Sequence, residues 1–426
     1  MRNRRNTRRK NVILETITNK NFIRISSILL VAIIILFGSI KIRNYFDKKE
    51  LAEQAMELDK QTGEIFTAME TEIKETNTKK DGIKKTSTAK ISAVGDILCQ
   101  MDMIQDAQNE DSYDFSYMFD NITKYVKKSD IAIGTLETNF TSSRYSGVGK
   151  YNTPTEFLTA VKNSGISLVS LAHNHVLDYG EDGLNQTISK IHEKGMSITG
   201  IQNNEENENS EFTGNIKEVN GIKIAFLSYT YGLSNENEIS EEEKSKVNIF
   251  SEELALKDIQ YAKENSNYII VIMHWGDVNS STITDYQNNI TGFLVNNDVD
   301  MILGSHPSVV EPMKIIQNAE GKNILVAYSL GNYISSLKYE NADVELILNI
   351  QIAKSEDQEK AVLQKVDYTP IYVLDNGTKS EKRFELTDMK QLAKDYANGD
   401  TGKISRKKYD EIIKKLDELQ KIVNEN

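Results

Sequence analysis

Histidine is scarce in this chain, five residues in 426, and four of the five stand in short polar clusters of one kind. The clusters read Gly95-Asp96, Leu136-Glu137, Ala172-His173-Asn174-His175, His274-Trp275-Gly276 and Gly304-Ser305-His306-Pro307. Carboxylate, imidazole and amide oxygen are together the ligand types of a borderline divalent cation such as Zn²⁺, Mn²⁺ or Fe²⁺. Each cluster alone has an ordinary reading. Gly-Asp after a strand is commonly a turn, Asn-His a helix cap beside a core histidine, and His-Trp-Gly a strand end whose Trp simply packs. His192 stands apart on a predicted helix.

What the clusters share is position, because each follows a short apolar run. The runs predict strands at Ile91–Val94, Ile131–Gly134, Leu168–Leu171, Ile222–Leu227, Tyr268–Met273, Met301–Leu303, Ile324–Leu330 and Val344–Ile352. Amphipathic stretches predict helices at Thr155–Ser164, Gly183–Lys194, Glu252–Asn265 and Thr284–Asn296. Such alternation predicts an α/β domain with largely buried strands. In that class, ligands bind in the crevice beyond the carboxyl ends of the strands, where the first, second, third, fifth and sixth runs lead. Two acidic stretches, Asn203–Glu211 and Ser234–Lys246, read as solvated loops. After Pro370 the pattern weakens. Tyr409, Ile412, Ile413, Leu416, Leu419 and Val423 then fit one helical face, which packs back on the domain or binds a partner.

Eight segments in order, GDILCQ, YDFSYMFDNI, SDIAIGTLET, YNTPTEF, VSLAHNHVLDYGEDGL, IVIMHWGD, ILGSHPSVVEP and YSLGNYIS, resemble the poly-γ-glutamate capsule biosynthesis family CapA/PgsA. That family is a branch of the calcineurin-like metallophosphoesterase superfamily, and the resemblance covers about Ile91 to Tyr372. It implies a metallophosphoesterase-like sandwich of two sheets flanked by helices, with a metal pocket at one end. It also implies a membrane-linked role in making or exporting an anionic γ-glutamyl polymer.

Carried over residue by residue, the resemblance makes Asp96 a ligand of a first metal and Glu137 the bridging carboxylate, with Thr135 where the family has Asn. Asn174, His274 and His306 become ligands of a second metal, and His175 lies near the leaving group as proton donor. Two imidazoles of the superfamily pattern are missing, replaced by Leu98 and Ser308. A hydroxyl is a poor substitute for imidazole toward a transition metal. One cation is therefore expected to be well held, and the second position weak or empty. His173 is an auxiliary ligand or a capping, exposed histidine. Asp178 orients His175 or serves as a turn residue. One cation still supplies a Lewis acid, so hydrolysis is open to the site.

Charge is divided sharply along the chain. Ten Lys or Arg against Glu15 make residues 1–43 formally +9, which leaves −21 for the rest of a chain whose total is −12. Between Arg24 and Lys41 no charge occurs, a run slightly short of the roughly 20 residues of a spanning helix. Phe22, Ile23 and Ile42 extend it, and Arg24 and Lys41 can snorkel to the headgroups. No small-x-small cleavage site follows, so an uncleaved anchor is expected over residues 25–42 rather than a signal peptide. The only Cys, Cys99, is too distant for a lipoprotein anchor and is read as a small buried residue. Cations ahead of the span place residues 1–24 in the cytoplasm and everything after it outside the cell. A stalk and linker are expected over 43–90, with a flexible end at Glu75–Lys90, then a metallophosphoesterase-like domain over 91–375 and a helical segment over 376–426.

Three functions compete. The chain is an accessory subunit whose partners are the membrane, polymer synthase or export proteins and poly-γ-glutamate itself. Alternatively it is a metal-dependent hydrolase of phosphoester, γ-glutamyl or cell-wall bonds, or else a metal-free binding domain descended from one. Nucleic acid is not an expected partner, because juxtamembrane cations serve orientation and anionic lipid contact. A −21 body repels polyglutamate unless cations or a local basic patch intervene.

Overall fold

A computed structural model describes residues 86–202 and 211–425, together with Lys49 and Glu53. The expected basic segment 1–24, the span 25–42, nearly all of the stalk and most of Asn203–Glu211 lie outside the described residues. Among the described residues no helix is long and apolar enough to cross a membrane. Lys394–Lys403 belongs to a second compact unit, in which Lys49 and Glu53 form an exposed ion pair of 3.7 Å. The other described residues form the unit that carries the site.

That unit holds two mixed sheets. The strands of the first are β1 (Thr86–Ile97), β2 (Ile131–Thr135), β3 (Leu168–Ser170) and β4 (Ser197–Thr199). The second comprises β5 (Asn215–Val219), β6 (Ile222–Thr230), β7 (Tyr268–His274), β8 (Met301–Ser305), β9 (Met313–Gln317) and β10 (Asn323–Ala327). The chain then returns to the first sheet through β11 (Asn332–Ile334), β12 (Val344–Ser355), β13 (Val362–Asp375) and β14 (Phe384–Asp388). The strand orders are β14-β13-β12-β1-β2-β3-β4, with β11 on β1, and β9-β10-β8-β7-β6-β5.

Helices cover the outer faces. Apolar residues of α1 (Met101–Ala107), α2 (Thr155–Ser164) and α3 (Gly180–Glu193) join a core cluster with Val94, Ile97, Ile347 and Ile371. On the other sheet, α4 (Glu252–Asn265) and α5 (Asp285–Asn296) pack Ala255, Ile259, Ile290 and Leu294 against Val271, Met273 and Ile302. Each face is thus an apolar stripe at helical spacing laid on a buried strand surface. The last helix, α6 (Arg406–Val423), starts at Ser405, whose side chain accepts from Lys408 N. It buries Tyr409, Ile412, Leu416, Leu419 and Val423, and Lys415 pairs with Asp343 at 2.6 Å. The helical face read from the sequence therefore packs back on the domain.

The sequence misplaces some elements. Thr86–Lys90 is not linker but the start of β1, paired with Ser355–Gln351 of β12. Pro370 does not end the sheet: it lies inside β13 opposite Leu346, one residue before pairing with β14 begins at Ile371. Proline is tolerated there because that side of the strand has no partner yet. Ser234–Lys246 is not a plain solvated loop; it buries Ile239 and carries the four-residue helix Glu241–Lys244 behind a Ser240/Glu243 capping box.

Candidate metal centre

The parallel strands of both sheets end at one place. In the first sheet Asp96, Thr135 and Ser170 are successive register partners; in the second, Thr230, His274 and Ser305 are. The two rows are stitched together by Thr135 Oγ1 and Ser305 Oγ at 3.1 Å, with Ser170 Oγ and Ser228 Oγ at 2.6 Å just behind. Thr135, which departs from the family pattern, is therefore a link between the sheets. Strand direction alone brings distant parts of the chain to one crevice.

Glu137, His274 and His306 converge there, each buried, with one ligand atom apiece all within 4.8 Å of one another. His274 is gripped at both ring nitrogens. Its Nδ1 lies 3.1 Å from Ser305 Oγ and 3.3 Å from Asp96 Oδ1, and its Nε2 lies 3.0 Å from Asn174 Oδ1. On its other side the Asn174 amide is held by Ser234, with Nδ2 donating to Ser234 Oγ at 2.6 Å. A proton on Nε2 would be donated to the Asn174 oxygen; with the proton on Nδ1 instead, the Nε2 lone pair and that oxygen point together as donors for a cation. Glu137 and His306 add a carboxylate oxygen and an imidazole nitrogen to that pair, a donor set that suits a divalent ion.

Asp96 sits on the opposite side of the His274 ring from Asn174. Its Oδ2 accepts the His306 backbone N–H at 2.7 Å, which holds that residue at φ +102°, a conformation rare outside glycine. Its Oδ1 is buried without a hydrogen-bond partner. A carboxylate behind a ligating imidazole fixes the ring's tautomer and raises its basicity. Leu98 is buried and apolar, and Ser308, at φ +62°, donates its hydroxyl to the His306 carbonyl at 3.4 Å. Neither adds a ligand nitrogen.

The remaining predicted residues occupy the next positions outward. His175 Nδ1 lies 3.0 Å from Asp178 Oδ2, which also accepts Tyr151 N–H at 2.9 Å. The other nitrogen, Nε2, is 3.9 Å from Glu137 Oε1 and 3.5 Å from Ser234 Oγ. Asp178, buried on its turn, thus orients His175 toward the centre. His173 is buried rather than exposed, and its Nδ1 accepts the His175 backbone N–H at 3.3 Å. His192 lies exposed on α3, away from the cluster.

Electrostatics agree with this donor chemistry. Burial, followed by Asp96 and Asp178, pushes the Glu137 carboxyl well above its ordinary range. Burial, with His274 and His175 alongside, holds His173 and His306 well below theirs. Among the described residues, the ion pairs of Asp96, Glu137 and Asp178 run to histidine and none to Lys or Arg. Acidic oxygens and imidazoles packed together in this way fit one divalent ion that Glu137, Asn174, His274 and His306 could hold.

Two participants carry no mark in the clusters read from the sequence. Ser234 opens a stretch read as an acidic loop, yet its N–H donates to Asn174 O at 2.9 Å and its hydroxyl fixes the Asn174 amide. Tyr231 follows β6, and its ring centroid lies 4.7 Å from that of His306. Its signal in the sequence is its place just beyond a predicted strand, Ile222–Leu227, that ends in none of the polar clusters. Near His175, Tyr151 stands edge-on at 4.7 Å, its phenol pushed up to about 12 by burial and then by Glu137.

An α/β domain of two mixed sheets, with a buried carboxylate–imidazole cluster at its strand ends, defines the class. The chain belongs to the bacterial capsule synthesis protein family PGA_cap, whose model matches residues 90–337. It is similar to capsule biosynthesis protein CapA of Bacillus anthracis, 26% identical over 234 residues, 52% of this chain and 54% of that one. It is also similar to PGA biosynthesis protein CapA of Bacillus subtilis (strain 168), 24% identical over 249 residues, covering 57% and 62%. The matched region thus spans between half and two thirds of these relatives. A solved calcineurin-like phosphoesterase, YfkN from Bacillus subtilis, aligns with TM-score 0.39 at 13% identity, covering 79% of this chain and 98% of that one.

Proposed function

We propose that this chain is a membrane-anchored, extracytoplasmic component of capsule or poly-γ-glutamate synthesis or export, whose α/β domain carries a metal-dependent hydrolase pocket. The observation that carries the pocket is the convergence of Glu137, His274 and His306 within 4.8 Å. Family membership and the names of the relatives support the polymer role. The uncharged run between Arg24 and Lys41, behind a basic head, supports the anchor.

When bound, a divalent cation supplies Lewis acidity toward a phosphoryl or acyl oxygen. The protein's own residues do the rest. Ser234 holds the Asn174 oxygen toward His274, and Asp96 holds both the His274 ring and the His306 backbone. Asp178, 3.0 Å from His175 Nδ1, aims Nε2 into the crevice, where the imidazolium form would give its Nε2 proton to a leaving group and keep the one on Nδ1. The buried strand ends exclude bulk water from Glu137.

The test is metal content and turnover of the full-length protein supplied with Mn²⁺, Zn²⁺ or Fe²⁺, on phosphoester and γ-glutamyl substrates. His274→Ala and His306→Ala should lose bound metal and turnover together; equal metal content and equal rates would discard the pocket. Protease treatment of intact cells should trim the domain but spare residues 1–24. Recovery of no biosynthetic partner from solubilised membranes, with unchanged surface polymer in a deletion strain, would remove the polymer role.

A further inference from the structure

Tyr231 has no task in the chemistry described so far, yet the fold fixes it firmly. Thr230 before it is the register partner of His274 and donates its N–H to Asn248 O at 2.9 Å. The Tyr231 N–H donates to the His274 carbonyl, also at 2.9 Å. The ring stands 4.7 Å from His306, tilted by 42°, and lies nearly parallel to His274, 16° apart at 6.4 Å. Tyr231 therefore stands against both imidazoles that would hold the cation, His274 and His306. Even so, the residue stays 40% exposed. A tyrosine placed for packing alone covers its ring; this one leaves ring surface open beside the cluster.

The geometry assigns Tyr231 as a substrate platform: its open face takes a planar ring, aryl or heteroaromatic, of a phosphoester whose phosphoryl end reaches Glu137, His274 and His306. This deepens the hydrolase reading and rests on it. A phenol fixed at a rigid strand end is already ordered, so stacking on it costs little further entropy. Offset stacking between rings strengthens binding by roughly 3- to 10-fold beyond area burial.

The full-length protein loaded with Co²⁺, whose visible absorption reports changes in its ligands, is titrated with phenylphosphonate and with methylphosphonate. The wild type should bind phenylphosphonate about 3- to 10-fold more tightly. Tyr231→Ala should bring the ratio to about one, and Tyr231→Phe, which keeps the π face, should retain it. If Tyr231→Ala loses its far-UV signal, Tyr231→Leu, bulky but without a π face, carries the same comparison. Equal affinities in the wild type, or an undiminished ratio in the alanine or leucine variant with cobalt content intact, overturn the platform and leave the metal centre standing. A wild type that binds no cobalt overturns the metal-centre reading. Cobalt bound with both phosphonates silent removes the phosphoester reading, and the platform falls with it.

Discussion

Glu311 lies five residues beyond His306 and is fully buried, with one carboxylate oxygen accepting from Gln287 Nε2 at 2.7 Å and the other without any partner. Burial, opposed by the Gln287 bond and aided by Asp277, raises its carboxyl to about 8 from an ordinary 4.5. A carboxyl raised in the folded state binds its proton more tightly there than in the unfolded chain. Stability is therefore greatest below the unfolded value and falls as pH rises toward the folded one. At 1.36 kcal/mol per pH unit, the loss from this group between pH 5 and pH 9 is roughly 4 kcal/mol. Glu311→Gln mimics the protonated acid, since its amide oxygen can accept from Gln287 and its NH₂ takes the place of the unpartnered oxygen. Urea denaturation of both proteins at pH 5, 7 and 9, followed through the buried Trp275, isolates the group from every other titration. The variant should nearly match the wild type at pH 5 and exceed it by about 3 kcal/mol at pH 7 and nearly 5 at pH 9. Parallel stability curves across that range would refute the reasoning.

Three further outcomes follow from other contacts. Asp178→Asn should lower turnover of the metal-loaded protein by about 10²-fold through misorientation of His175, with metal content unchanged by elemental analysis. Asp258→Ala leaves Thr213 N–H, the Thr213 hydroxyl and the Tyr229 phenol without their shared acceptor at 3.0, 2.6 and 2.8 Å, so the urea midpoint should drop by the equivalent of about 3 kcal/mol. Gly304→Ala puts a Cβ 1.7 Å from the Tyr328 carbonyl oxygen, a clash with backbone that no rotamer change relieves; the variant should be recovered in the insoluble fraction, or with a stability loss above about 4 kcal/mol.

The convergence of Glu137, His274 and His306 was legible because metal chemistry restricts residue type and strand ends restrict position. Four scarce histidines behind apolar runs satisfy both conditions. Long buried strands and helices, such as Tyr268–His274 and Glu252–Asn265, were equally plain, since their apolar content is set by the layers on either side. The sequence is weakest at strands with one polar face or few residues. Asn215–Val219 and Met313–Gln317 are partly exposed edge strands, and Ser197–Thr199 is too short to show a period. Asn174 shows the same limit within the site: its residue type marks it as a ligand, but what points its oxygen at His274 is Ser234, sixty positions away in a run of acids.

The −21 formal charge outside the first 43 residues raised the difficulty that an anionic polymer or phosphoester would be repelled. The site sharpens this difficulty rather than removing it. Asp96, Glu137 and Asp178 lie within one crevice and, among the described residues, form ion pairs only with His175 and His274, while burial holds the neighbouring His306 well below its ordinary range. Nothing permanently positive is built into these contacts, so attraction for an anion must arrive with the cation itself. Ligand binding and metal binding are then two halves of one equilibrium: removing the metal should abolish anion affinity altogether rather than weaken it in proportion. Methylphosphonate binding that survives chelation of the metal would contradict that coupling.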